Sequence, residues 1–216
     1  MKILVFDDSP IHRKAAELSL KGHDLTVVGT YDEAQEALLP KVNEEQRKQI
    51  FSEKFGDRDP YKSEGLTKEL RQERMDYYWA TQEQATVYPN FDVVLTDLLV
   101  PASRQAQGRE GSQFVGQEMP IGTTIALLAL VAGIKKVAVV TDMNHHNHPA
   151  SAMFDCFGKC KNPGVNIICT NHVDMIAIDE ASGQLVDQKP QESKGLTRGK
   201  DWGSILKQLI GEKTAE

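Results

Sequence analysis

Only three cysteines, Cys156, Cys160 and Cys169, occur in 216 residues. So few, and an odd number, do not make a disulfide framework, and reduced thiols are expected. The chain also lacks an apolar run of the ~20 residues that a membrane-crossing helix needs. Its longest, residues 125–134, falls far short, so no transmembrane helix and no membrane partner are predicted. Met1-Lys2 leads through Ile3-Leu4-Val5-Phe6 directly into two aspartates, without the apolar region and small-residue cleavage site of a secretory signal. This predicts a cytoplasmic protein. Nor is there a surplus of positive charge: 31 acidic residues against 25 basic ones give a net charge of −6, which argues against nucleic acid as a partner. What remains, 40% apolar and 26% charged residues, is ordinary for a globular chain long enough to bury a sizeable core.

Runs of β-branched and aliphatic residues at 3–6, 25–28, 91–95, 137–140 and 165–168 read as strands. They are uniformly apolar rather than alternating, the pattern of strands covered on both faces. Helical patterns lie between them, over 10–20, 31–39, 125–132, 149–157 and 202–210. Ser9 precedes Pro10 as a cap candidate for the first, Thr30 for the second, and Thr123 or Thr124 for the third. The alternation predicts an α/β fold with a doubly wound, five-stranded parallel sheet.

Three segments interrupt that alternation. Residues 40–89 are highly charged, with helical spacing at 44–55 and 66–84, and read as an inserted helical hairpin. Tyr77, Tyr78 and Trp79 are consecutive there, so at least one is expected at the surface. They either pack within the protein or form a partner interface, a homodimer included. Arg71 and Arg74, interleaved with Glu69 and Glu73, read as a solvated salt-bridging face. Residues 102–120, with three glycines and little apolar periodicity, read as a long loop serving as a lid or partner contact. Residues 172–188 read as an inserted β-hairpin turning at 179–183.

In an open parallel sheet the strand C-termini face the ligand crevice. Asp7, Asp8, Asp97, Thr141 and Asp142 all fall at such ends. Taken singly, an aspartate there is more often a helix cap. Convergent carboxylates, by contrast, repel unless a hard divalent cation such as Mg²⁺ or Mn²⁺ sits among them, where it would also orient a phosphoryl group.

On these residues the chain resembles the receiver domain of bacterial response regulators, in an atypical form with insertions. The resemblance is carried by Phe6-Asp7-Asp8-Ser9-Pro10 with Arg13, by 92–101 with Asp97 and Pro101, and by Val139-Val140-Thr141. It implies a flavodoxin-like domain spanning 1–216 and Mg²⁺ on Asp7, Asp8 and Asp97. It further implies a phosphoryl group accepted by Asp97 from a sensor kinase or other donor, a response through Thr141, and output through protein contacts. The family's lysine directly after the fifth strand is missing, since 165–168 leads into Cys169-Thr170-Asn171-His172. Lys200, just before the last helix, either returns to the pocket in its place or is a solvated surface residue.

His145, His146 and His148 follow the fourth strand. With Cys156 and Cys160 they form a Zn²⁺ site, or they line the pocket rim. Two further functional readings use the same carboxylates: a metal-dependent phosphohydrolase or phosphotransferase acting on a small molecule, and a degenerate module that binds without being phosphorylated.

Overall fold

Alternate residues of the first strand feed opposite cores. In β1 (Lys2–Phe6), Ile3 and Val5 enter one apolar cluster, Leu4 and Phe6 another, and all four are fully buried. A strand whose two faces are both covered has no polar side, which is why the run is uniformly apolar. At about 1.5–3 kcal/mol for each side chain so buried, β1 is a principal contributor to the core.

The computed structural model describes residues 1–211 except 58, 63, 106, 148, 153–155, 157–163, 172, 180 and 187–194. It divides into two compact units, Met1–Leu38 with Asn90–Glu216, and Leu39–Pro89.

In the larger unit β1 is followed by α1 (Pro10–Ser19), β2 (Asp24–Val28) and α2 (Tyr31–Leu38). Ser9 occupies the cap position of α1 without a side-chain cap bond; its N–H instead donates to Asp7 Oδ1 at 2.9 Å. The Asp7 carboxylate therefore organises the turn that Ser9 was expected to cap. Thr30 does cap α2, accepting Glu33 N–H at 3.3 Å while Glu33 Oε2 accepts Thr30 N–H at 3.1 Å.

The smaller unit contains β3 (Lys41–Val42), α3 (Glu44–Phe55), α4 (Lys68–Ala80) and β4 (Thr86–Val87), with β3 and β4 paired antiparallel. The stretch expected as an insertion within one domain is thus a compact unit of its own. Tyr78 is buried, edge-on to Phe51 and under the Arg47 guanidinium at 3.7 Å, whereas Trp79 is 54% exposed. Arg74 is not on a solvated face. It is buried, donates to the Asp59 carbonyl at 2.7 Å and stacks 5.0 Å over Phe51, because this small core uses aromatic faces to hold cations.

The larger unit resumes with β5 (Val93–Asp97), β6 (Val100–Pro101), β7 (Glu118–Met119), α5 (Gly122–Val131), β8 (Lys136–Val140), α6 (Pro149–Ala152) and β9 (Asn166–Thr170). The parallel sheet runs β2-β1-β5-β8-β9, or 2-1-3-4-5 counting its strands alone, an order compatible with a flavodoxin-like fold. Helices α2 and α5 supply Ala34, Leu38, Ile125 and Ala129 to one face, and α1 supplies Ala15 and Ala16 to the other. Residues 102–120 are not a plain loop. β6 and β7 pair antiparallel, a short 3-10 helix spans Glu110–Phe114, and the excursion is held by backbone bonds rather than by burial. Neither Thr123 nor Thr124 caps α5, which begins at Gly122.

The sheet pairing of β9 extends to Thr170, so Cys169 and Thr170 end the fifth strand rather than follow it. The expected hairpin forms from β10 (Met175–Asp179) and β11 (Leu185–Val186), and a third strand, β12 (Leu196–Lys200), joins the other edge of β10. From β12 the chain enters α7 (Trp202–Ile210), whose Trp202, Ile205, Leu206 and Leu209 complete the cluster around α1.

Candidate functional site

The strand order reverses between β1 and β5, and the crevice at such a switch point is where open parallel sheets bind ligands. Asp7 directly follows β1 and Asp97 ends β5. Both are buried: Asp7 is fully enclosed and Asp97 is 6% exposed. Asp7 Oδ1 accepts Ser9 N–H, and Asp97 Oδ1 accepts Leu98 N–H at 2.7 Å, so each carboxylate keeps its second oxygen for the space between them.

Lys200 fills that space. Its ammonium, with no exposure, lies 2.9 Å from Asp7 Oδ2 and 2.8 Å from Asp97 Oδ2, with Asp142 Oδ1 at 3.7 Å. It arrives from β12 of the inserted sheet, not from the end of the fifth parallel strand. A solvated surface role for Lys200 is thereby excluded.

The backbone around the pocket is tightly fixed. Arg13 Nη1 donates to the Asp7 and Asp8 carbonyls at 2.9 and 2.6 Å, tying α1 to the turn that carries both acids. Gly122 packs against the Asp97 peptide, where a Cβ would come within 1.9 Å of the Asp97 carbonyl oxygen. Only glycine fits there without movement of the Asp97 backbone. Thr141 is buried immediately after β8, whose Val140 is the register partner of Asp97, and its Oγ1 accepts Met143 N–H at 3.1 Å.

Burial raises the Asp97 pKa to about 7; Lys200 opposes the shift and the nearby Asp7 charge adds to it. Asp7 is raised for the same primary reason, again against Lys200. On Lys200 burial acts downward, but the charges of Asp97 and Asp7 prevail and raise its pKa. Asp142 lies far below the usual carboxylate range, held there first by His12 and, after an opposing desolvation effect, by Lys200.

Carboxylate oxygens of Asp7, Asp8 and Asp97 lie within 4.8 Å of one another, and among the described residues this is the one group of His, Cys, Asp and Glu side chains so arranged. An all-oxygen donor set suits a hard cation such as Mg²⁺. Of the three acids, Asp7 and Asp97 are in contact with the Lys200 ammonium and Asp8 is not, so the group holds more carboxylates than the one ammonium pairs.

The described histidines of the cluster differ from one another in burial. His145 is 3% exposed rather than on an open rim; its ring stacks on that of His146 with centroids 4.2 Å apart, and its carbonyl accepts from Ser151 Oγ. His146 and Cys156 are exposed, while His148 and Cys160 lie outside the described residues.

His12 is a pocket residue that sequence reasoning passed over. Its Nδ1 accepts Lys200 N–H at 3.3 Å and its Nε2 stands 3.6 Å from Asp142 Oδ2. The signal for it was a polar residue three and four positions before Ala15 and Ala16, on the buried stripe of α1.

Comparison with known protein families, with curated proteins and with solved structures finds no match.

Proposed function

We propose that this protein is a receiver-like signalling protein of flavodoxin-like fold, working in the cytoplasm, in which Asp97 accepts a phosphoryl group. The observation that carries this reading is the position of Lys200, 2.8 Å from Asp97 and 2.9 Å from Asp7. It supplies, from an inserted sheet, the buried cation whose family position after the fifth strand is vacant. Asp7, Asp8 and Asp97 would hold Mg²⁺, which when bound supplies positive charge to the phosphoryl oxygens.

The chain's own residues account for the rest. An Asp97 oxygen attacks phosphorus of an acyl phosphate or a phosphohistidine; the bond from phosphorus to the donor breaks, and the donor leaves with the electron pair. Leu98 N–H and Lys200 hold the carboxylate in place before attack. Burial excludes water, so the nucleophile meets the phosphorus without a full hydration shell to shed. Lys200 and Thr141 then face the added charge and relay its presence. Sensor kinases or small phosphodonors would supply the group. Output would pass through protein contacts of the 39–89 unit and the 102–120 excursion, including self-association.

Fluoroberyllate, which mimics a phosphoryl group on a carboxylate, tests the reading by fluorine NMR in the presence of Mg²⁺. A bound resonance in the native chain that is absent from Asp97→Ala is expected. Its absence from the native chain, or its persistence in the variant, would contradict the reading.

A further inference from the structure

Lys200 is held from two directions, and only one of them is the carboxylate pair. β12 is an edge strand in the order β11-β10-β12, so the N–H groups on its outer edge have no strand to pair with. His12 Nδ1 takes the one that belongs to Lys200, at 3.3 Å, and the His12 carbonyl accepts Trp202 Nε1 at 3.0 Å. One residue of α1 thus grips the chain on both sides of Asp201. Gly199 permits the approach: a Cβ there would stand 2.4 Å from Ala15 Cβ and 3.0 Å from the Ile11 carbonyl oxygen.

The histidine faces a second partner. With Nδ1 accepting from Lys200 N–H, Nε2 is the nitrogen that faces Asp142 Oδ2, 3.6 Å away. Asp142 Oδ1 is in turn 3.7 Å from Lys200 Nζ. His12 therefore touches Lys200 at its backbone and, through Asp142, meets it again at its head.

We infer that His12 is a positioning residue that seats the Lys200 ammonium between Asp7 and Asp97 by fixing the end of β12 against α1. A lysine side chain has four rotatable bonds and no planar fork, so its head is placed only as well as its backbone is anchored. The catalytic consequence rests on the reading of Asp97 as phosphoacceptor; the seating itself does not.

Three variants of the full chain separate the contacts. In His12→Asn the amide oxygen takes the place of Nδ1 and still accepts Lys200 N–H. In His12→Gln the amide reaches toward Asp142 but gives up that acceptor, and His12→Leu offers neither. Two readouts are recorded: the slowly exchanging ammonium signal of Lys200 in nitrogen-15 NMR, identified by its loss in Lys200→Met, and the rate of phosphoryl uptake from acetyl phosphate with Mg²⁺. The native chain and His12→Asn should both show the ammonium signal and agree in uptake within about threefold, while His12→Gln and His12→Leu lose the signal and about 10- to 100-fold in rate. If His12→Leu does not fold, the contrast between the two amides carries the test. An ammonium signal unchanged in His12→Gln, absent from the native chain, or lost equally in His12→Asn overturns the inference. The expected pattern of signals with no uptake by any chain, native included, upholds the seating and instead refutes the phosphoacceptor reading.

Discussion

Lys200 Nζ and Asp7 Oδ2 lie 2.9 Å apart with neither side chain exposed, although 193 positions of chain separate the two residues. A buried ammonium needs a charged partner, and the buried carboxylates are tolerable as anions only while it is present. The first strand and the end of the inserted sheet therefore depend on each other. The site cannot be complete unless β12 has reached its place.

Replacing Lys200 by Met leaves two buried carboxylates without their cation, a loss expected to cost about 3–5 kcal/mol near neutral pH. Urea unfolding at pH 5 and pH 7.5 measures it. The cost should be smaller at pH 5, where both acids, already raised by burial, can take up protons.

Stability of the native chain should fall as pH rises from about 4, the ordinary carboxylate value, toward 7. Asp97, with its pKa at about 7, binds a proton in the folded state that the unfolded chain has already released in this window. The folded state is therefore favoured at the acid end and the contribution is lost going up, at no more than about 1.4 kcal/mol per pH unit for one proton. Asp142, lowered by His12, acts oppositely, contributing stability above the ordinary carboxylate value that is lost as pH falls below it. Denaturant titrations from pH 5 to 8 should show the decline, and Asp97→Asn should flatten it.

Added Mg²⁺ should stabilise the native chain, by about 2.7 kcal/mol at a hundred times its dissociation constant. Asp8 makes none of the three Lys200 contacts, so Asp8→Asn should leave metal-free stability nearly unchanged while removing the Mg²⁺-dependent gain. Thermal melts with and without Mg²⁺ distinguish the two effects.

Gly122→Ala drives a Cβ toward the Asp97 carbonyl oxygen, 1.9 Å away without relaxation. Moving the backbone to relieve it should cost about 1–3 kcal/mol or more. Because the strain falls on the Asp97 peptide, the variant should also lose fluoroberyllate binding at temperatures where circular dichroism shows it still folded.

Much of this was legible from one-dimensional pattern. Uniformly apolar runs at 3–6 and 137–140 announced doubly covered strands, and Asp7 and Asp97 stood at strand ends where a parallel sheet opens. What pattern concealed depends on contacts remote in sequence. β12 reads Leu-Thr-Arg-Gly-Lys, without alternation, and is a strand only because β10 pairs with it. Arg74 has the composition of a solvated helix face yet is buried, because Phe51 and the Asp59 carbonyl meet it from other segments. His12 was hidden by its neighbour Arg13, which matched the receiver pattern while the buried stripe of α1 ran through His12 itself.

The most direct measurement is the intact mass of the native chain and of Asp97→Ala after incubation with acetyl phosphate, with Mg²⁺ and with the metal chelated. One added phosphoryl group, seen only for the native chain with Mg²⁺ and lost on treatment with hydroxylamine as an acyl phosphate must be, is the expected result. No adduct with unchanged donor would contradict it in favour of a module that only binds. Donor consumption without a lasting adduct would point instead to a phosphohydrolase.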